Sequence, residues 1–274
     1  MSSNDMQQRR TTDPGSVLYV NNMGMDFWGN VPESSPELLH PTPDRPQPTP
    51  ELLQSTMQRY RDSFRTIFAD TEDLPESPEE SHIIIGGSLD SVNDEVDNPW
   101  IKNLIEFIQR MREQNKYILG ICFGHQAVVK AFGGEVEKAD FPEFGIPTLD
   151  LSEDALDDPL FDGMGGSFPV IQTHGDVVTK GPEGNDVRNL ASTRFYNNQS
   201  FAIGERIRTV QFHPEMNRRQ MYDLAIFQYK YLVENRFDNN AVKFQHFLSR
   251  ILTSSDLNSP INTRLLHNFY RMGM

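Results

Sequence analysis

The sequence predicts an α/β protein, a three-layer sandwich around a mostly parallel central sheet, followed by C-terminal helices. Three observations predict it. His82-Ile-Ile-Ile-Gly-Gly87 and Tyr117-Ile-Leu-Gly-Ile121 are short, continuously apolar runs, the pattern of parallel strands buried on both faces. Between them Trp100–Arg112 places Trp100, Leu104, Ile105, Ile108 and Met111 at helical spacing, and this alternation of buried strand and amphipathic helix is the α/β signature. The 274 residues, 37% of them hydrophobic, also suffice for a full core.

The elements follow in order. Residues 1–15 are polar and read as disordered. Ser16-Val-Leu-Tyr-Val-Asn21 is a short, mostly buried strand, apolar between polar ends. The segment 31–50 holds seven prolines, at 32, 36, 41, 43, 46, 48 and 50, so it reads as a surface loop or an active-site lid. Thr49-Pro50 is a helix start, with Leu53, Met57 and Tyr60 on the inner face. Phe64–Phe68 reads as a second strand, and the acidic, turn-rich Asp70–Ser81 leads into the isoleucine strand. After Tyr117–Ile121 a helix is expected over Gln126–Phe132. Later strands are expected at Phe168–Gln172 and Arg206–Phe212, with an acidic loop from Asp150 to Asp162 before them. Beyond Glu215 the pattern is helical: Arg219–Glu234, Ala241–Leu252 and a short final helix capped by Ser259-Pro260. One of these completes the α/β layer and two form an appendage. The expected organisation is therefore a disordered 1–15, an α/β domain over 16–220 and a helical extension over 221–274 packed on it.

Composition narrows the function. With 25 Lys+Arg against 39 Asp+Glu the net charge is −14, which argues against a nucleic-acid footprint. No apolar run approaches the roughly 20 residues that span a bilayer, and Met1–Arg10 lacks a signal core, so no membrane partner and a cytoplasmic location are expected. The single cysteine excludes an internal disulfide and any multi-cysteine metal site. No G-x-G-x-x-G or G-x-x-x-x-G-K-[ST] loop follows a strand.

That cysteine lies in Gly120-Ile-Cys122-Phe-Gly124-His-Gln126, where a buried strand passes into a helix. Flanking glycines allow a tight turn that exposes Cys122 as a nucleophile, and the helix start directs N–H groups towards the thiolate. The bland alternative is a buried core cysteine. His213 follows the strand Thr209-Val-Gln-Phe212 and precedes Pro214-Glu215, so it reaches the carboxyl edge of the sheet with a carboxylate near enough to fix its tautomer. His174, in Gln172-Thr-His-Gly-Asp176, follows a strand too; it is either a satisfied loop histidine or a group lining the same crevice. Gly87 ends the isoleucine strand, where its N–H reaches a carbonyl oxygen attacked by Cys122, or makes an ordinary turn. Cys122, His213 and Glu215 also suggest a zinc site, but a strained elbow at a helix terminus suits a thiolate nucleophile better.

Gly120-x-Cys122-x-Gly124-x-Gln126, Thr173-His174-Gly175-Asp176 and Gln211-Phe-His213-Pro-Glu215, in this order and spacing, closely resemble the class I glutamine amidotransferase (triad glutaminase) family over roughly residues 16–220. The resemblance implies a flavodoxin-like fold and a Cys122–His213–Glu215 triad that attacks a glutamine side-chain amide. It further implies Gly87 and Phe123 N–H groups as the oxyanion hole, Gln126 as a residue holding the substrate's α-amino or α-carboxyl end, and Thr173, His174 and Gly175 as the loop whose backbone completes that pocket. No metal or organic cofactor is implied. Two positions depart from the family pattern, Ser88 for a proline and Thr209 for a glycine, which implies altered loop packing near the pocket. The chain resembles stand-alone members similar to the GMP synthase glutaminase domain, because too little sequence follows residue 220 for a synthetase domain. Cys-Phe-Gly-His-Gln with Pro142-Glu143-Phe-Gly145 downstream also looks like the γ-glutamyl peptidases. The expected function is thus a γ-glutamyl hydrolase or peptidase acting on glutathione-type conjugates through a thioester. The alternatives are a glutaminase subunit delivering ammonia to a separate synthetase partner, and a non-catalytic interaction protein retaining the fold.

Overall fold

The computed structural model describes residues 16–22, 64–253 and 260–274. The expected disordered segment 1–15, the Pro-rich loop 31–50, the helix from Thr49-Pro50 and the Ser259 cap lie outside the described residues. The described elements begin with β1 (Val17–Asn21), β2 (Phe64–Phe68), β3 (His82–Ile85), α1 (Pro99–Glu113), β4 (Tyr117–Ile121) and α2 (Phe123–Ala131). There follow β5 (Glu135–Gly145), β6 (Thr148–Leu151), α3 (Glu153–Leu156), a 3-10 turn (Pro159–Phe161), β7 (Ser167–Pro169), β8 (Gln172–Lys180), β9 (Val187–Ser192), β10 (Ser200–Ile203) and β11 (Ile207–Val210). Helices close the chain: α4 (Arg218–Phe227), α5 (Tyr229–Asn235), α6 (Ala241–Thr253) and α7 (Pro260–Arg271). Among the described residues, no helix is long and apolar enough to cross a membrane.

The central sheet runs β2-β1-β3-β4-β11-β10-β9-β6-β7. Its first five strands are parallel and the remaining neighbours antiparallel, so the sheet is mixed and largely parallel, flanked by helices as in a flavodoxin-like arrangement. Alternation along the strands sorts the core into two layers. Ile83, Ile85 and Ile118 face α1 and α2, where Leu104, Phe107 and Val128 are buried. Ile84, Leu119 and Ile121 face the other way, against Leu265, Leu266 and Phe269 of α7. The last helix in the chain therefore completes the second layer. His82 pins it there: its Nε2 is bonded to the Met272 carbonyl at 3.1 Å and its ring stacks on Tyr117.

Helix α1 forms as its pattern predicts, with Pro99 in the first turn, basic Arg110 and Arg112 in the last, and Ile101, Leu104, Phe107, Ile108 and Met111 inward. Three expectations need correction. The strand expected at Phe168–Gln172 is two strands in different sheets. Val170 and Ile171 carry the chain across, the first packing with the sheet core and the second with α4–α6. The helix expected from Arg219 breaks at Gln228, which leaves helical geometry at ψ 15°. Strands β5, β6, β9 and β10 were not expected: β5 reads Glu-Val-Glu-Lys-Ala-Asp, a composition depleted in strand formers, and strands of four to six residues give periodicity little room. Pairing with β8 in a separate two-stranded sheet, rather than local preference, makes β5 a strand.

Helices α4–α6 form a third apolar cluster that closes on Phe144 of β5, on Ile171 and on Met216. Asn217 and Gln220 cap α4 reciprocally. This lobe thus packs against segments that flank the candidate site.

Candidate active site

Four segments converge at the carboxyl edge of the parallel strands. Cys122 lies between β4 and α2, and α2 begins at Phe123, three residues earlier than expected. Its backbone is left-handed, at φ 54° and ψ −107°, an uncommon conformation for a residue with a Cβ. The two flanking glycines make that turn sterically accessible. A Cβ at Gly120 would lie 2.5 Å from the Gly124 carbonyl oxygen, and one at Gly124 would lie 2.1 Å from the Ile85 oxygen. The elbow is anchored by Cys122 N–H donating to Val210 and Gly124 N–H donating to Gly86. Phe123 opens α2, so its N–H has no acceptor within the helix.

His213 follows β11, held by its N–H to the Ile171 carbonyl at 2.9 Å. Its Nδ1 is hydrogen-bonded to Glu215 Oε1 at 2.7 Å. Cys122 and His213 are neighbours across Gly87: a Cβ built there would sit 3.5 Å from His213 Cε1 and 3.9 Å from the Cys122 Cβ. Nε2 of His213 makes no hydrogen bond within normal geometry, although Cys122 is close enough to act on the ring. Burial alone would lower the His213 pKa. The Glu215 carboxylate and the Cys122 sulfur outweigh burial and raise it well above the ordinary value. Catalytic contacts in unliganded sites are often loose and tighten on substrate binding. Among the described residues no group of three or more His, Cys, Asp or Glu is disposed to hold a metal ion, the competing use of Cys122, His213 and Glu215.

The third wall is β8. The Cys122 thiol donates to the Thr173 carbonyl across 3.9 Å. His174 lies within β8 rather than after a strand, and both its ring nitrogens are bonded within the β5–β8 wall. Nδ1 bonds the Asp176 carbonyl and Nε2 the Glu143 carboxylate, each at 3.0 Å. Gly175 is open, with nothing within 4 Å of a Cβ built on it. Gln126 is likewise committed within the protein, donating to the Asp176 carbonyl at 2.9 Å and to Gln211 at 3.2 Å. Sequence reasoning passed over Glu143, Asp176 and Asn22. Asp176 accepts from Ser91 Oγ at 2.5 Å, tying β8 to the loop after Gly87. Asn22 Nδ2 donates to the Gly86 carbonyl. Asp176 and Glu143 stood inside quoted motifs; no local signal marks Asn22.

Fold and site together define the class: an α/β enzyme carrying a thiol at a strand–helix elbow. The family profile for glutamine amidotransferase class-I matches residues 53–231, and the chain belongs to that family of cysteine hydrolases acting through a thiol nucleophile. It is 31% identical over 169 residues to γ-glutamyl peptidase 4 of Arabidopsis thaliana, covering 60% of this chain and 64% of that protein. It is 40% identical over 142 residues to the glutamine-hydrolysing GMP synthase of Thermosipho melanesiensis, covering 50% of this chain and 25% of that enzyme. The chain therefore spans less than two thirds of the length of these relatives. A glutamine amidotransferase of Thermotoga maritima shares the fold, with TM-score 0.70 at 18% identity over 94% of this chain and 98% of that one.

Proposed function

We propose that the chain is a glutaminase: Cys122 hydrolyses the side-chain amide of glutamine through a γ-glutamyl thioester, and the ammonia passes to a separate synthetase partner. The observation that carries this reading is the left-handed Cys122 beside a His213 whose other nitrogen is held by Glu215. The likeness to glutamine-hydrolysing GMP synthases supports the choice of substrate.

In this reading Glu215 fixes the tautomer of His213 and stabilises its protonated form, which keeps Cys122 ionised. The sulfur bonds to the amide carbon, and the oxyanion points at the N–H groups of Gly87 and Phe123. His213 gives its proton to the departing nitrogen as the C–N bond breaks. Water, losing a proton to His213, then attacks the thioester; the C–S bond breaks and glutamate leaves. Backbone of Thr173–Gly175 lines the pocket for the α-amino-acid end, and Gln126 braces that wall through the Asp176 carbonyl.

A second reading, a peptidase cleaving γ-glutamyl peptides, is favoured by the likeness to the Arabidopsis γ-glutamyl peptidases, and the chemistry is the same with a peptide amine leaving. One experiment separates the two. Glutamate release is measured by mass spectrometry from glutamine, glutathione and glutathione S-conjugates, with Cys122→Ala alongside. Release from glutamine, lost in the variant, is expected. Release from the conjugates alone replaces the glutaminase reading with the peptidase one, and release that persists in the variant overturns both.

A further inference from the structure

Glu143 takes no part in the chemistry above, yet it is a buried carboxylate with every oxygen occupied. Oε1 accepts from Thr193 Oγ1, and Oε2 from Gln199 Nε2 and His174, each at 3.0 Å. The Glu143 and His174 side chains are 5% and 1% exposed. Arg236, just past the end of α5, donates to the Pro142 carbonyl beside Glu143 at 2.6 Å; burial lowers its pKa, and Glu143 is the charge that opposes the shift. Burying a carboxylate carries a desolvation cost that its hydrogen bonds do little more than offset, so stability alone does not account for this arrangement. Its position does suggest a use.

Glu143 and His174 lie directly opposite in the β5–β8 register, just past the irregularity between Lys138 and Glu143. Thr173, the residue before His174, carries the carbonyl that faces Cys122 Sγ. The other ring nitrogen of His174 holds the Asp176 carbonyl, which Gln126 also holds. The strand edge that carries the Thr173 carbonyl is thus held by the His174 imidazole, which Glu143 holds in turn, with Gln126 sharing the Asp176 carbonyl.

We infer that Glu143 is a positioning residue. Through His174 it holds the Thr173–Gly175 edge at the distance from Cys122 that admits the α-amino-acid end of the substrate, and it leaves the reactivity of the thiol to His213. The substrate side of this inference rests on the γ-glutamyl reading above; the positioning side does not.

Two measurements on Glu143→Ala, Glu143→Gln and Glu143→Asp test it, with the Gln and Asp variants carrying the test if the Ala variant does not fold. The first is amide hydrogen exchange. Exchange of residues 173–176 is expected to rise about tenfold in the Ala and Gln variants while β1 and β3 stay protected, with Asp falling between. The second compares alkylation of Cys122 by a chloroketone analogue of glutamine with alkylation by iodoacetamide, which lacks the amino-acid end. The saturation constant for the chloroketone is expected to rise about tenfold while the iodoacetamide rate changes less than about twofold. Unchanged exchange at 173–176 overturns the inference, as does a loss of both alkylation rates in parallel. A wild-type protein that the chloroketone does not label saturably overturns the γ-glutamyl reading instead, and the exchange result still decides the role of Glu143.

Discussion

His213 and Glu215 are two residues apart along the chain and 2.7 Å apart between Nδ1 and Oε1, so a single turn after β11 supplies both the imidazole and its counter-charge. The pair is preorganised before any substrate arrives. Pro214 between them limits the backbone that connects them.

Replacing Glu215 with Gln removes the charge that opposes burial of the imidazolium. His213 then shifts towards the neutral form, since burial acts against the charged ring. Iodoacetamide alkylation of Cys122 at neutral pH is expected to slow by about tenfold or more, with glutamate release falling by about a hundredfold. An unchanged alkylation rate would show that Glu215 does not tune the site.

Gly124→Ala tests the steric logic of the elbow. Its Cβ would meet the Ile85 oxygen at 2.1 Å, backbone that cannot rotate aside. A cost of about 1–3 kcal/mol or more is expected, as for overpacked cores, with loss of thiol activity because β3 and α2 are forced apart. Denaturant unfolding against the wild type gives the number.

Asp158 holds the fully buried Arg208 at 2.8 Å and the part-buried Arg188 at 2.9 Å. Asp158→Ala leaves the Arg208 guanidinium charged without a carboxylate, and a loss of about 3–5 kcal/mol is expected. Arg208→Met with Asp158→Ala should recover much of it. A single variant as stable as the wild type would mean water has entered to solvate Arg208.

His82 is held neutral by burial, which lowers its pKa to about 4, with the Met272 carbonyl opposing. His125, fully buried and bonded to Thr209 Oγ1, is lowered to about 3. Both folded values lie below the unfolded one, so their contribution is complete above about pH 6.5 and is lost as pH falls towards 4 and then 3. The loss from His82 is on the order of 3 kcal/mol at most. Melting temperature should fall over that window, and less steeply in His82→Gln. Equal slopes for both proteins would remove His82 from the account. Because His82 ties down the end of α7, hydrogen exchange in that helix should rise at the acid end of the range.

Much of this was legible in the residues. The triple isoleucine, the helical spacing of Trp100–Arg112 and Gly-x-Cys-x-Gly carry their information within one turn or one strand, where apolar period and glycine placement leave few alternatives. The chain order of Cys122, His213 and Glu215 was equally readable. Helix α7 was recognisable as a helix too, but not as the cover of the second sheet face. Its partners Tyr19, Ile84 and Leu119 are scattered over the first half of the chain.

The sequence by itself determined the strands of the sheet centre, the elbow and the candidate nucleophile with its base. Tertiary structure alone decided that His174 is bonded to Glu143, 31 residues away. A charged, irregular β5 carries no period that announces a strand, so it needs β8 beside it. A buried carboxylate is tolerated only where donors meet it, and here one comes from the β5–β8 register and two, Thr193 and Gln199, from the connection between β9 and β10.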